Sequence, residues 1–233
     1  MAQAASDRER AREIVRRLAR AYRSGHPARP DTSVVGSVVK PPLDELIFTL
    51  LSQHTSDLNR DRAWVSLRER FPAWEQVASA RTKSIADAIR IGGLADSKAP
   101  RIKAVLREVR EREGSYGLER LRRMSDDDVR HYLLSLPGIG PKTAACVLAF
   151  SLARPALPVD THVHRLAIRL GFAGPKADAA ATQQILESLV PGRSRLATHV
   201  RLIAHGRMIC TARRPKCGEC VLADLCPSAA RLA

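Results

Sequence analysis

Apolar positions in this chain recur at three- and four-residue intervals and nowhere hold a sustained alternation, so the pattern predicts helices throughout. Over residues 7–23, Ile14, Val15, Leu18, Ala19 and Tyr22 share one face, with Arg and Glu elsewhere; Ser6 and Glu9 read as a capping box. Residues 25–42, GHPARPDTSVVGSVVKPP, read as a connector rich in Pro, Gly and Ser. A helix starting near Leu43 carries the stripe Leu46, Ile47, Leu50 and Leu51. Further helices are expected at 57–70 (Leu58, Ala63, Trp64, Leu67), 72–80 (Trp74, Val77, Ala78) and 83–91 (Ile85, Ile89, Ile91). Another spans 99–112, with Ile102, Val105, Leu106 and Val109 inward. Its outer face, bearing Arg101, Lys103, Arg107, Arg110, Glu108 and Glu111, reads as solvated. Ser125 and Asp128 read as the capping pair of a short helix in which Val129, Tyr132 and Leu133 pack inward. A buried helix follows through about Phe150. Next come a helix with Val163, Leu166, Ala167 and Leu170, closed by Gly171, one at 178–190, and a last one burying Leu196, Val200, Ile203 and Ala204. The fold class is all-α.

Composition adds a partner class. The chain has 233 residues, 45% of them hydrophobic, enough for a packed core, and a formal net charge of +15. Such an excess marks a binder of polyanions. No run approaches the ~20 apolar residues of a membrane-spanning helix. The opening MAQAASDRERAREIVRR lacks an apolar signal core, so a cytoplasmic location is expected. Five cysteines in that compartment argue against structural disulfides.

Candidate chemistry concentrates in two places. The first is Leu136-Pro137-Gly138-Ile139-Gly140-Pro141-Lys142-Thr143-Ala144, followed by Pro158-Val159-Asp160-Thr161-His162. Gly138 and Gly140 allow a tight turn whose N–H groups can approach an anion, and Pro141 suits the first turn of a new helix. Taken alone, these residues also fit an ordinary turn, a solvated Lys142 and an N-cap Asp160. The second is the spacing C-x6-C-x2-C-x5-C formed by Cys210, Cys217, Cys220 and Cys226. Four thiolates in one loop can hold a tetrahedral metal ion or a cubane cluster. Arg213, Arg214 and Lys216 lie between the first two cysteines, where they can meet phosphates. Cys146 falls on the apolar face after the hairpin and reads as a core thiol.

LPGIGPKTA with PVDTH resembles the helix-hairpin-helix and Gly/Pro…Asp motif of DNA glycosylases, and specifically the endonuclease III family. The run RMICTARRPKCGECVLADLC resembles that family's 4Fe–4S loop. The resemblance covers about Leu43 to Cys226. It implies two helical lobes, residues 36–154 with the hairpin and residues 1–35 with 155–233 around the cluster, with a DNA-binding groove between them. It further implies Lys142 and Asp160 as the catalytic pair, the four cysteines as cluster ligands, and Gly138, Gly140 and His162 at the DNA. Leu94, after Gly92-Gly93, matches the family's wedge that enters the duplex. Gln53 and His54 fall where the family fills the gap left by an extruded nucleotide. The family pattern Ser-Ala-Gln-Ala-Thr-Asp is here Ser52-Gln53-His54-Thr55-Ser56-Asp57, so His54 replaces a glutamine and lesion preference is left open.

The implied partner is double-stranded DNA with damaged bases, bound by a monomer. The implied activity is a bifunctional DNA glycosylase and abasic-site (AP) lyase of base excision repair. It would excise damaged, oxidised pyrimidines and nick by β-elimination. Two other readings stay open: a monofunctional or mismatch-specific glycosylase of the same superfamily, and a non-catalytic iron–sulfur DNA-binding module. Residues 115–125 look longer than the family counterpart and carry no assigned function.

Overall fold

Capping residues divide the chain where the apolar stripes suggest. In the computed structural model, which describes residues 2–22 and 39–232, there are helices and turns but no strand among the described residues. The helices are α1 (Ala2–Ala21), α2 (Pro42–Leu51), α3 (Asp57–Arg70), α4 (Trp74–Ser79), α5 (Thr82–Ala88) and α6 (Ala95–Glu113). They continue as α7 (Asp126–Leu134), α8 (Pro141–Cys146), α9 (Thr161–Arg169), α10 (Ala179–Leu189), α11 (Arg195–Met208) and α12 (Ala229–Leu232). Among the described residues, no helix is long and apolar enough to cross a membrane. The chain divides into two compact units, residues 39–154 and residues 1–38 with 155–233. Of the connector at 25–42, the part up to residue 38 lies outside the described residues.

In the 39–154 unit, α2 is the central element: Leu46, Ile47, Leu50 and Leu51 are fully buried, and α3, α6 and α8 pack around it. Ser56 caps α3 by accepting from Asn59 N–H at 3.2 Å. Ser125 caps α7, accepting from Asp128 N–H at 3.1 Å while donating to Asp128 Oδ2 at 2.6 Å. Two apolar positions of the helical pattern face outward: Leu58 (58% exposed) and Ile91 (46% exposed). Leu58 sits in α3's first turn, and Ile91 follows the end of α5 in a 3₁₀ turn, Arg90–Gly92, where the α-helical period no longer applies. Residues 115–125 do have a structural place. Leu118 and Leu121 are buried, and Arg154 donates to Arg122 O (3.0 Å) and Met124 O (3.1 Å).

In the other unit, Ile14, Leu18 and Tyr22 of the N-terminal segment share a core with α9, α10 and α11. α1 begins at Ala2, so Ser6 lies inside the helix and does not form the expected capping box. α11 buries Thr198, His199, Leu202, Ala204, His205 and Gly206, whereas Leu196, Val200 and Ile203 are only partly buried. The two histidines of its buried face are hydrogen-bonded: His199 Nδ1 lies 2.7 Å from Pro158 O, just upstream of Asp160, and His205 Nδ1 lies 2.8 Å from the Tyr22 hydroxyl.

Candidate active site and cluster loop

In the 39–154 unit, the hairpin turns on two buried plugs, Leu136 and Ile139, joined by Ile139 N–H donating to Leu136 O at 3.2 Å. Gly138 has φ of 73°, and a Cβ there would lie 2.6 Å from Arg101 Cδ. Glycine suits this position by its backbone conformation, and its missing side chain leaves room for the Arg101 stem. Gly140, expected to serve the turn equally, has φ of −103° and open space at its Cβ; it is simply the N-cap of α8. Lys142 is the second residue of α8, half-buried, with Nζ a long 3.5 Å from Ser52 Oγ. Past Cys146 the helix widens into a π-helical turn, Val147–Ser151. Such turns recur near functional sites.

Sequence reasoning missed what holds the neighbouring loops. Lys98 is 2% exposed and its ammonium donates to Leu51 O (2.8 Å) and Gly92 O (2.9 Å). These are the last carbonyls of α2 and of the 3₁₀ turn, groups that otherwise lack partners and carry the negative ends of helix dipoles. Burial pushes the Lys98 ammonium below the usual lysine range; losing it would strand two buried carbonyls at about 1–3 kcal/mol each. One turn on, Arg101 Nη1 donates to Gln53 Oε1 at 3.0 Å while its stem covers Gly138. Lys103 likewise donates to Ala80 O at 2.6 Å. The outer face of α6 is therefore partly a set of clamps rather than a solvated surface. Beside them sit His54 (φ 52°), Gly93 (φ 67°) and Leu94 (φ 51°). Left-handed non-glycine residues cost about 1–2 kcal/mol each and collect at functional sites. Leu94 is 54% exposed and takes no part in the core.

Glu45 is a second buried ionisable group in this unit. It is 7% exposed and accepts from Thr49 Oγ1 at 3.0 Å. Burial lifts its carboxyl from the ordinary 4.5 to about 6, opposed by Thr49, Lys40, Lys142 and Arg60. A carboxyl raised on folding binds its proton more tightly in the native state. Stability is therefore highest below the unfolded value and falls as pH rises through the folded one. Glu45→Gln should accordingly raise stability by up to about 2 kcal/mol at pH 8, the equivalent of this shift, and leave it unchanged near pH 4. Parallel thermal melts at the two pH values check this; an equal change at both would attribute the effect to packing.

In the other unit, Asp160 is the N-cap of α9, its Oδ1 accepting from Val163 N–H at 2.8 Å. Arg165, one turn in, donates to Gly206 O (2.7 Å), Cys210 O (2.8 Å) and His162 Nδ1 (3.2 Å). Desolvation lowers its pKa. Arg169 donates to Thr211 O (2.7 Å), Ala212 O (2.8 Å) and Cys210 Sγ (3.2 Å). Two arginines on one face of α9 thus bind the entry to the cysteine loop to the helix that begins at Asp160. Gly206 lets the helices meet, since a Cβ there would lie 3.0 Å from His162 Cβ.

The loop itself descends in tight three-residue turns, with Cys220 N–H on Cys217 O (3.2 Å), Ala223 N–H on Cys220 O (3.1 Å) and Cys226 N–H on Ala223 O (3.2 Å). These turns arrange Cys210, Cys217, Cys220 and Cys226 around a shared hollow that Ile209 and Leu232 also line. Among the described residues, no three His, Cys, Asp or Glu side chains converge as ligands of one metal ion. A cubane does not ask this of its ligands, because each thiolate binds a different iron. Four thiols around one hollow are the donor set of such a cluster. Burial raises the Cys220 thiol, and the other three cysteines push in the same direction. His205, 2% exposed, stands behind Cys220 with Nε2 at 3.4 Å from its Sγ; burial drops the imidazole to about 4. Arg213, Arg214 and Lys216 are exposed, and Cys146 is buried.

Residues 47–192 match the family described as HhH-GPD superfamily base excision DNA repair protein, and residues 210–226 match the iron–sulfur binding domain of endonuclease III. Endonuclease III of Thermotoga maritima is 34% identical over 94% of this chain and 91% of its own length. That of Escherichia coli is 32% identical over 79% of this chain and 83% of its own. A putative DNA glycosylase of Arabidopsis thaliana is 40% identical over 74% of this chain, a match spanning 59% of that longer protein. The solved structure of a trapped endonuclease III–DNA covalent intermediate superposes with a TM-score of 0.80 at 26% identity, covering 96% of this chain and 97% of that one. The chain belongs to the endonuclease III family of helix-hairpin-helix base excision DNA repair proteins, whose 4Fe–4S cofactor it shares.

Proposed function

We propose that the chain is a bifunctional DNA glycosylase/AP lyase that removes oxidised pyrimidines from double-stranded DNA, acting as a cytoplasmic monomer. The observation that carries the reading is the lysine at the first turn of the hairpin's second helix. Its amine makes one long contact with a hydroxyl, at 3.5 Å, in contrast to Lys98, whose ammonium is committed to two carbonyls. A lysine held for structure looks like Lys98; a nucleophile needs the freedom of Lys142.

A nucleotide within the duplex shields C1′, so the damaged base must first leave the stack. Leu94 is the proposed wedge, and Gln53 and His54 occupy the vacated space opposite the orphaned base, with Gly138, Gly140 and His162 at the backbone. Lys142 attacks C1′ as the free amine; the C1′–N bond breaks and the base leaves with the electron pair. Asp160, ionised, stabilises the positive charge building on the sugar. The aminal left at C1′ then opens its C1′–O4′ bond, with O4′ taking up a proton, to give a protonated Schiff base. This acidifies the 2′ hydrogen, and β-elimination breaks the C3′–O bond on the 3′ side of the lesion. Cys210, Cys217, Cys220 and Cys226 are the proposed ligands of the 4Fe–4S cluster, which when bound supplies a covalent staple for the loop. That loop presents Arg213, Arg214 and Lys216 to phosphates.

Neutralising Arg213, Arg214 and Lys216 together should weaken binding of damaged and undamaged duplex alike. Each lost phosphate contact should flatten the slope of log affinity against log salt by about 0.9. Loss confined to damaged duplex would make these residues lesion readers instead.

The function itself is tested with duplexes bearing thymine glycol, dihydrouracil, uracil, 8-oxoguanine or a mismatch, analysed without added heat or alkali. The expected product is a nicked strand from the oxidised pyrimidines. Strands that break only after alkali would identify a monofunctional enzyme, and intact strands throughout would identify a binding module.

A further inference from the structure

We infer that Tyr22 and His205 form a hydrogen-bond relay to the cluster ligand Cys220, in which the phenol sets the imidazole tautomer and the ring donates its other N–H to the coordinating sulfur. The inference rests on the assignment of Cys220 as an iron ligand, and everything else in it comes from groups within one unit. Tyr22 and His205 are 6% and 2% exposed. The phenol oxygen lies 2.8 Å from His205 Nδ1, and His205 Nε2 lies 3.4 Å from Cys220 Sγ. The rings meet edge-on, 5.9 Å apart at 86°, so packing as well as the hydrogen bond fixes the imidazole.

For a neutral imidazole, only one proton arrangement suits both the phenol and the sulfur. A thiolate bound to iron has lone pairs and no proton, so the ring atom facing it must be a donor, Nε2–H. A neutral imidazole with its proton on Nε2 has an acceptor at Nδ1, and the Tyr22 O–H is positioned to donate there. The reverse arrangement, with Nδ1–H donating to the phenol oxygen, would set a bare Nε2 lone pair against the sulfur. That arrangement needs an S–H proton, which a ligating cysteine lacks.

The relay is one of several N–H groups on the proposed ligands. Leu222 N–H donates to Cys220 Sγ at 3.4 Å, and Arg169 donates to Cys210 Sγ at 3.2 Å. What distinguishes it is its origin. Tyr22 follows directly on α1, and α1 is joined to the same loop by Arg17, which donates to Val221 O (3.1 Å) and Asp224 Oδ2 (2.9 Å). The N-terminal helix is thereby tied to a sulfur ligand nearly two hundred positions away in the chain. Hydrogen bonds to cluster sulfurs stabilise the more negatively charged, reduced state and orient the ligand. Tyr22 and His205 are positioning residues: they act through Cys220.

The test uses the full-length, cluster-loaded protein and three variants: Tyr22→Phe, His205→Phe and His205→Gln. Midpoint potential is measured by protein-film voltammetry and iron loss by the rate of transfer to a chelator. Tyr22→Phe removes one oxygen and keeps the edge-on ring, so it remains informative even if His205→Phe does not fold. Both phenylalanine variants should shift the midpoint to more negative potential and release iron several-fold faster. His205→Gln, whose amide offers an N–H, should recover part of each change. A midpoint equal to the parent's in both phenylalanine variants would reduce the ring to packing. A shift in His205→Phe with none in Tyr22→Phe would overturn the role of the phenol. Parent protein holding zinc in place of about four irons would refute the cluster-ligand assignment itself, independently of the relay.

Discussion

Asp160→Asn should slow base release by roughly 10²-fold or more, the scale of one lost electrostatic or acid–base catalyst. The substitution is informative because the structural duty of the side chain survives it. Asp160 Oδ1 caps α9 by accepting from Val163 N–H at 2.8 Å, and an asparagine oxygen caps nearly as well. Folding and lesion binding should therefore be retained. On a duplex that already carries an abasic site, no base has to leave. There the variant should keep more of its lyase activity than of its glycosylase activity. Single-turnover rates on the two substrates separate these effects. An equal loss on both would mean that Asp160 serves a step common to them, and parent-like base release would reduce it to a cap.

The hairpin and the cysteine loop were legible because each is a local run in which a few residues at fixed offsets determine the geometry. Gly138 in its left-handed turn, Pro141 opening α8 and Asp160 capping α9 lie where the pattern puts them. The helical periods were legible for the same reason, down to the fully buried stripe of α2. Most of the failures share a cause: partners supplied by other elements. Arg101 and Lys103 carry charges in a helix with a clear apolar face, so periodicity assigns them to solvent, while Lys98 falls just before the expected 99–112 helix, which begins instead at Ala95. Their aliphatic stems allow burial, and their heads reach carbonyls and an amide presented by other elements. The polar buried face of α11 was invisible for the same reason, since His199 and His205 find hydrogen-bond partners on distant segments. Ser6 failed differently: its spacing to Glu9 suits a capping box, but the helix already begins at Ala2.

The central claim is that Lys142 is the nucleophile, and trapping the covalent intermediate tests it most directly. Incubation with a duplex containing an oxidised pyrimidine in the presence of borohydride reduces the Schiff base to a stable amine between protein and C1′. Proteolysis and mass spectrometry then locate the modified residue. The parent should yield an adduct on Lys142, and Lys142→Gln should yield none while still binding the duplex. The substitution should fold, since it gives up a 3.5 Å contact with Ser52 Oγ and one of several positive charges near Glu45, from a half-buried position. An adduct on any other residue, or one that persists in Lys142→Gln, would contradict the mechanism.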